Sequence, residues 1–181
     1  MRVVAGALRG RRIDSPRSDA TRPTTDKVRE AVFNALVSMD AVVGARVADV
    51  FAGTGALGIE ALSRGAAHCV FIERDREALA VLRANIDRLG LADRCSVVSL
   101  DAFDGLRACG DVDLLLADPP YGFTEWTRLL EGVGASTVVL ESDEEITEPV
   151  GWEMVRQRRY GRTFVAFLRP GASTEGTVEA E

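Results

Sequence analysis

Val47-Ala48-Asp49-Val50-Phe51-Ala52-Gly53-Thr54-Gly55-Ala56-Leu57-Gly58 runs from an apolar strand through a glycine turn into a helix. Val47–Phe51 predicts a buried strand, Leu57–Arg64 a helix stopped by Gly65, and Cys69–Ile72 the next strand. Strand, glycine loop, helix and strand in that order make a βαβ unit, whose two strands must lie parallel. Downstream, Leu79, Leu82, Ile86 and Leu89 mark one side of a helix over Arg76–Leu89, closed by Gly90, and Ser96–Leu100 reads as a strand. Val112–Ala117 is a continuous apolar run of the kind buried on both faces of a parallel sheet. Glu125–Leu130 predicts a short helix and Thr137–Glu141 a fifth strand. Trp152–Tyr160 and Thr163–Arg169, joined by Gly161-Arg162, predict a closing antiparallel hairpin.

Upstream, Thr24 or Thr25 can cap a helix reaching about Met39, with Val28, Val32, Leu36 and Met39 as its apolar face. Arg17–Pro23 is an extended connector, and Val3–Gly6 with Arg11–Asp14 around Leu8-Arg9-Gly10 suggests a small basic hairpin. The alternation of elements predicts an α/β chain with a single doubly wound, mostly parallel sheet and helices on both faces. The expected division is a basic extension over 1–24, a catalytic domain over 25–170 and a disordered acidic tail over 171–181.

At 181 residues the chain is long enough for one domain with a sizeable core. It has no apolar run of membrane-spanning length and no signal peptide, so a cytoplasmic protein without a membrane partner is expected. Cys69, Cys95 and Cys109 are too scattered for a zinc site or a disulfide framework and are expected as buried thiols. His68 is the only histidine and is expected to be structural; no metal is expected. The net charge of −6 is unevenly spread. Residues 1–29 carry eight basic side chains against three acidic ones, a net of +5, which leaves −11 for 30–181. A basic end on an acidic body suits contact with phosphates, and seven of the eight bases are arginines, which make forked hydrogen bonds.

In a doubly wound sheet, ligands bind beyond the carboxyl ends of the strands. Asp49, Glu73, Asp101 and Asp118 close four successive predicted strands there, so their carboxylates should converge on one crevice. Gly53 and Gly55 would let backbone approach a ligand, and the helix starting near Ala56 would offer unpaired N–H groups to an anion. Gly53-Thr54-Gly55-Ala56-Leu57-Gly58 is also a literal G-x-G-x-x-G, with Glu73 near the spacing of a ribose-binding acid, so a dinucleotide-dependent oxidoreductase is a rival. Against it stands Asp49, which would repel a pyrophosphate and attract an ammonium group such as that of S-adenosylmethionine.

Asp118-Pro119-Pro120-Tyr121 directly follows the apolar run Val112–Ala117. Paired with the glycine turn upstream it reads as a methyltransferase, and its resemblance to the tetrapeptide of enzymes that modify exocyclic amino groups implies transfer to such an amine. Such an amine is a poor nucleophile, because its lone pair is delocalised into the ring. Hydrogen bonds to the Asp118 carboxylate and the Pro119 carbonyl would pyramidalise the nitrogen. The paired prolines fix φ and aim that carbonyl, and Tyr121 offers a ring on which a splayed base can stack.

With the opening Val3-Val4-Ala5-Gly6 and Arg9-Gly10-Arg11, and with Arg22-Pro23-Thr24-Thr25-Asp26-Lys27-Val28-Arg29-Glu30, these motifs resemble the RsmD-type bacterial small-subunit (16S) ribosomal RNA guanine-N2 methyltransferases. That family belongs to the Rossmann-like class I S-adenosylmethionine-dependent enzymes, and the likeness runs from about Arg2 to Arg169. The resemblance implies S-adenosylmethionine as cofactor. Asp49 with Phe51, Ala52, Gly53, Thr54 and Gly55 would hold its methionine moiety, Glu73 beside Arg74 its ribose, and Asp101 with Ala102 its adenine edge. Asp118, Pro119, Pro120 and Tyr121 would form the reaction centre, with Asp118 also bordering the cofactor. Arg2, Arg9, Arg11, Arg12, Arg22, Thr24 and Lys27 would contact ribosomal RNA, as free RNA or in an assembling small subunit, with the enzyme acting as a monomer. Arg156, Arg158, Arg159 and Arg162 are a second basic candidate, or simply edge-strand charges. Adenine N6 or cytosine N4 methylation and a non-enzymatic RNA-binding module remain as alternatives. The acid at 118 disfavours protein glutamine methylation, which uses an Asn-headed tetrapeptide.

Overall fold

A computed structural model describes residues 1–15 and 26–172. Seven strands form one sheet: β1 (Arg46–Val50), β2 (His68–Ile72), β3 (Cys95–Val98), β4 (Val112–Ala117), β5 (Ala135–Ser142), β6 (Trp152–Tyr160) and β7 (Thr163–Pro170). Their order is β3-β2-β1-β4-β5-β7-β6. The first five pair in parallel, and β7 inserts antiparallel between β5 and β6. The helices are α1 (Asp26–Ser38), α2 (Ala56–Ser63), α3 (Arg76–Leu89), α4 (Ala102–Cys109) and α5 (Trp126–Leu130). The chain order reverses between β1 and β4, which leaves a crevice at their carboxyl ends.

Strand alternation sorts the core into two layers. Val47, Phe71, Leu114, Leu116, Val139 and Phe167 face one side and pack under α1, α2 and α3. Ala48, Val50, Ile72, Leu115, Ala117 and Leu140 face the other and pack under α4 and α5. Gly58 brings α2 close to the sheet, since a Cβ there would overlap the Phe71 ring and Cys69 Sγ. Gly105 does the same for α4 over Ile72.

α4 is absent from the sequence-based expectation, which reads Asp101 only as a strand end. Asp101 instead stands three residues past β3 as the N-cap of α4, accepting from Phe103 N at 2.9 Å and Asp104 N at 3.1 Å. Met39 falls beyond the end of α1 and is 41% exposed, so the apolar face of that helix stops at Leu36. The proposed caps Thr24 and Thr25, with Arg17 and Arg22, lie outside the described residues, as does the chain after Ala172.

The amino-terminal hairpin is short: an antiparallel bridge joins Arg2 and Arg12, flanked by backbone bonds from Val3 N to the Arg11 carbonyl, Gly10 N to the Val3 carbonyl and Ile13 N to the Met1 carbonyl, each at 2.9 Å. This segment is bound into the main core, where Val3 and Ile13 are buried under α1 to α3. Glu60 of α2 holds it in place. Its fully buried carboxylate accepts from Val4 N at 2.8 Å and Ala5 N at 3.0 Å, and also pairs with Arg64 Nε at 2.7 Å. Arg29, counted among the basic residues of the amino-terminal end, is likewise fully buried. It donates to the Arg2 carbonyl and lies 3.6 Å from Glu60, so it is an interior ion-pair partner and unavailable to phosphate.

Candidate active site

A cavity of about 1460 Å³ opens at the carboxyl ends of β1, β2, β4 and β5. Asp49, the loop Phe51 to Thr54, Glu73 with Arg74, Asp101 with Ala102, and the whole turn Asp118 to Tyr121 line it together. The glycine turn and the Asp-Pro-Pro-Tyr turn, 65 residues apart in the chain from Gly53 to Asp118, thus share one space. Met1, Lys27 and Val28 also line the cavity, as do Tyr160, Gly161 and Thr163 at the β6–β7 turn.

Gly53 and Gly55 differ in use. Both have left-handed backbone, with φ of +55° and +81°. A Cβ at Gly53 would meet nothing closer than the Phe51 carbonyl at 3.9 Å, so this glycine leaves open space beside the cavity. Gly55 does not line it; a Cβ there would press on Leu82 Cδ1 at 2.5 Å, so this glycine serves the packing of α2 on α3. Phe51 also has positive φ, +61°, which is strained for an aromatic residue. Its ring meets Phe123 edge-on at 5.3 Å, and Phe123 meets Trp126 at 4.7 Å. Arg128 stacks over Phe103 at 4.3 Å, completing an aromatic wall between the end of β1, α4 and the turn after β4.

The donors around the loop are taken by the chain's own carboxylates. Asp49 sits inside β1, one residue before its end, and is 1% exposed. Its Oδ2 accepts from Gly58 N in the first turn of α2 at 2.8 Å. Glu73 Oε2 accepts from Gly53 N at 2.8 Å, while Oε1 accepts from Arg74 N and Asp75 N, each at 2.8 Å. The sequence-based expectation that this helix start offers unpaired N–H groups to an anion is therefore corrected at Gly53 and Gly58. A pyrophosphate would find both donors occupied and two carboxylates in their place. Burial pushes the Asp49 carboxyl well above the usual carboxylate range. The Gly58 N–H pulls the other way, and the negative charges of Asp118 and Glu73 push it further up. Such a floor is suited to a cationic ligand, whose charge would relieve the repulsion.

Asp118 directly follows β4, whose last residue Ala117 is in register with Val50 of β1 and Leu140 of β5. Gly122 N donates to Asp143 Oδ1 at 3.1 Å, tying the tetrapeptide turn to the loop after β5. Tyr121 is 63% exposed at the rim. Glu141, 2% exposed near the end of β5, also lines the cavity. It is missing from the sequence-based set, although the rule that picked Asp49, Glu73, Asp101 and Asp118 as acids closing apolar strands applies to it equally.

The basic residues divide. Lys27 lines the cavity, whereas Arg2, Arg9, Arg11 and Arg12 do not, although all four are exposed. Arg2 Nη1 donates to the Gly10 carbonyl at 2.7 Å, Arg11 Nη2 to the Arg88 carbonyl at 3.3 Å, and Arg12 pairs with Asp14 at 2.8 Å. The turn at Leu8-Arg9 is bonded to Ser63, at the end of α2 away from the cavity. That places it about 10 Å along the helix from Ala56 at the cavity wall. In the β6–β7 turn, Arg159 lies over Phe164 at 5.4 Å, and its Nε donates to the Gly161 carbonyl. Cys69 and Cys109 are buried, Cys95 is half-buried, and His68 Nε2 is 3.1 Å from Ser96 Oγ on the neighbouring strand. Among the described residues no cluster of His, Cys, Asp or Glu could hold a metal ion, and no helix is long and apolar enough to cross a membrane.

The family described as Conserved hypothetical protein 95 matches residues 1–169. The chain is 36% identical over 192 aligned positions to ribosomal RNA small subunit methyltransferase D of Escherichia coli K12, covering 100% of this chain and 94% of that one. It is 37% identical to a Bacillus subtilis protein provisionally named an rRNA methyltransferase, covering 93% of this chain and 98% of that one. Among solved structures, an Escherichia coli protein provisionally described as a methyltransferase superposes with a TM-score of 0.82 at 36% identity, covering 95% and 98% of the two chains. A structure provisionally described as a methyltransferase and solved in complex with SAH shares the fold at 14% identity and a TM-score of 0.61, covering 79% of this chain and 48% of that one.

Proposed function

The chain belongs to the Conserved hypothetical protein 95 family, the RsmD-type methyltransferases, and on that premise we propose that it methylates the exocyclic N2 amine of a guanine in small-subunit (16S) ribosomal RNA, with S-adenosylmethionine as donor. The observation that carries this is the shared cavity: one end is a carboxylate-rich glycine turn and the other the Asp118-Pro119-Pro120-Tyr121 turn.

The donor's fit rests on charge and space. Asp49 and Glu73 have taken the loop N–H groups, so the floor presents acceptors to an ammonium and to ribose hydroxyls, while Gly53 leaves room beside them. Asp49 would face the ammonium, Glu73 the ribose, and Asp101 with Ala102 the adenine edge, with Phe51, Ala52, Thr54 and Arg74 completing the wall. When bound, the donor supplies a methyl carbon on a sulfonium that is already a good leaving group, so positioning is the main demand on the protein.

At the other end, the Asp118 carboxylate and the Pro119 carbonyl accept the two N–H bonds of the amine and direct its lone pair inward. Pro119 and Pro120 hold fixed φ, so little ordering accompanies that alignment. The amine held there would take up the methyl carbon and give its spare proton to Asp118 or to water. The exposed ring of Tyr121 is a platform for a base splayed out of its helix. Lys27 and the β6–β7 turn stand at the mouth, where flanking phosphates would run.

Nucleoside digestion tests this. After incubation with tritiated S-adenosylmethionine and small-subunit RNA or particles, label should appear as N2-methylguanosine. Label in N6-methyladenosine or N4-methylcytosine would replace guanine with one of the rival substrates.

A further inference from the structure

β6 ends the sheet, with β7 as its neighbour on one side. Its register sorts its side chains: Arg156 is paired with Phe167, Arg158 with Val165 and Tyr160 with Thr163. Phe167 and Val165 lie in the layer under α1 to α3, so strand alternation puts Arg156, Arg158 and Tyr160 in one row on that face. Tyr160 packs against the same layer and also lines the cavity. The row therefore starts at the cavity and runs about 13 Å along β6 from Tyr160 to Arg156. Arg162 stands at the turn itself, between the cavity-lining Gly161 and Thr163. Lys27 lines the same cavity from α1, the helix packed on this face.

In the sequence these arginines follow an acidic stretch, Glu141 to Glu153, which would oppose an anion if it shared their side. The loop between β5 and β6 is instead tied to the other face. Gln157, paired with Ala166 of the α4 and α5 layer, accepts from Ile146 N at 2.8 Å and donates to the Ile146 carbonyl at 3.3 Å, and Ile146 is buried in that layer. Glu153, near the far end of β6, is paired with Arg169 at 2.7 Å. Among the described residues no carboxylate forms an ion pair with Arg156, Arg158 or Arg162. Arg156 lies over the Phe167 ring at 4.7 Å, which restrains its guanidinium without using an acceptor, while Arg158 and Arg162 are exposed.

We propose that this face of β6, with Arg162 at its turn, is the track along which the single strand flanking the target base leaves the cavity, its phosphates met by Arg162, Arg158 and Arg156. Guanidinium forks suit phosphate oxygens, and a basic groove continuous with the reaction centre suits an unpaired strand. The amino-terminal Arg2, Arg11 and Arg12 are held by neighbouring groups and lie off the cavity, so they have the smaller part. This assignment rests on the proposed RNA-methylating activity and gives it a direction of approach.

The test is a fluorescence-anisotropy titration, across a salt series, with a fluorescein-labelled single-stranded fragment of small-subunit RNA spanning the position found to be methylated. In the variant that combines Arg158→Gln with Arg162→Gln, two phosphate contacts are lost, so the slope of log affinity against log salt should shrink by about 1.4. Affinity near 0.1 M salt should fall by roughly tenfold. On small-subunit RNA, KM should rise while kcat stays within about threefold of wild type. Affinity for S-adenosylmethionine, unchanged in the variant, serves as its control for folding. The same charge removed at Arg9 and Arg12 should change the slope by less than half as much, which separates a local contact from loss of overall charge. A slope within about 0.3 of wild type in the Arg158→Gln, Arg162→Gln variant overturns the assignment and leaves these arginines as guards of an edge strand. An equal loss from the Arg9 and Arg12 changes overturns it too. A wild type that neither binds nor methylates small-subunit RNA removes the RNA-methylating reading and this assignment together, whereas wild-type methylation with an unaltered slope in the variant removes the assignment alone.

Discussion

Asp49 is held in β1 against its own solvation preference. It is nearly inaccessible to water, keeps one hydrogen bond from Gly58 N, and faces the negative charges of Asp118 and Glu73. Its folded-state pKa lies above its unfolded value, so between the two values the folded protein binds the extra proton. Stability therefore falls as pH rises through that window, and the full penalty is present above it. Asp49→Asn keeps an acceptor for Gly58 N and removes the charge. The ligand-free variant should be more stable near pH 7 by about 1 kcal/mol, roughly 3 °C in Tm. That advantage should fade as pH drops toward the ordinary carboxylate range. Affinity for S-adenosylmethionine should fall by at least about tenfold, as expected when a cation loses its counter-charge. Differential scanning calorimetry across pH, with titration calorimetry alongside, checks both halves; a variant that is less stable and binds equally well would contradict the role given to this side chain.

At the scale of elements, the parallel strands and α3 are legible in the sequence because short apolar runs and a four-leucine-like stripe carry their own punctuation; α3 is bounded by Asp75 and Gly90 as caps. α4 is hidden because its signal is an eight-residue amphipathic stretch interrupted by Gly105, and because Asp101 looks equally like a strand terminus. The docking of the amino-terminal segment is hidden for another reason. It depends on Glu60, 56 residues from Val4, and nothing local distinguishes a helical glutamate that will be buried from one that will be solvated. Glu60→Ala should leave the buried Arg29 with Asp26 alone as acidic partner, take from Arg64 its carboxylate at 2.7 Å, and strip two backbone N–H groups of their acceptor. A loss of about 3–5 kcal/mol is expected, read as a lower urea midpoint together with faster proteolysis near the amino terminus. A change under about 1 kcal/mol would mean the segment is held by Val3 and Ile13 alone.

For the molecule as a whole, the reversal of strand order between β1 and β4 brings two turns from distant parts of the chain onto one cavity. That convergence was legible in advance, since acids at strand ends must share an edge once the strands are parallel. Which of those acids are spent on backbone N–H groups was not, because it depends on loop geometry at Gly53 and Gly58. The same holds for the charge map. An excess of arginine at one end is visible in composition, whereas the burial of Arg29 and the engagement of Arg2, Arg11 and Arg12 with neighbouring groups appear only in three dimensions.

Asp118→Ala separates binding from chemistry in this cavity most directly. Transfer of tritiated methyl to small-subunit RNA should fall by roughly 10²-fold or more, the scale at which loss of a positioned polar group acts on a reacting centre, while the S-adenosylmethionine dissociation constant stays within about threefold of wild type. Methyl transfer that persists at the wild-type rate in a variant that still binds the donor would contradict the placement of the reaction at the end of β4.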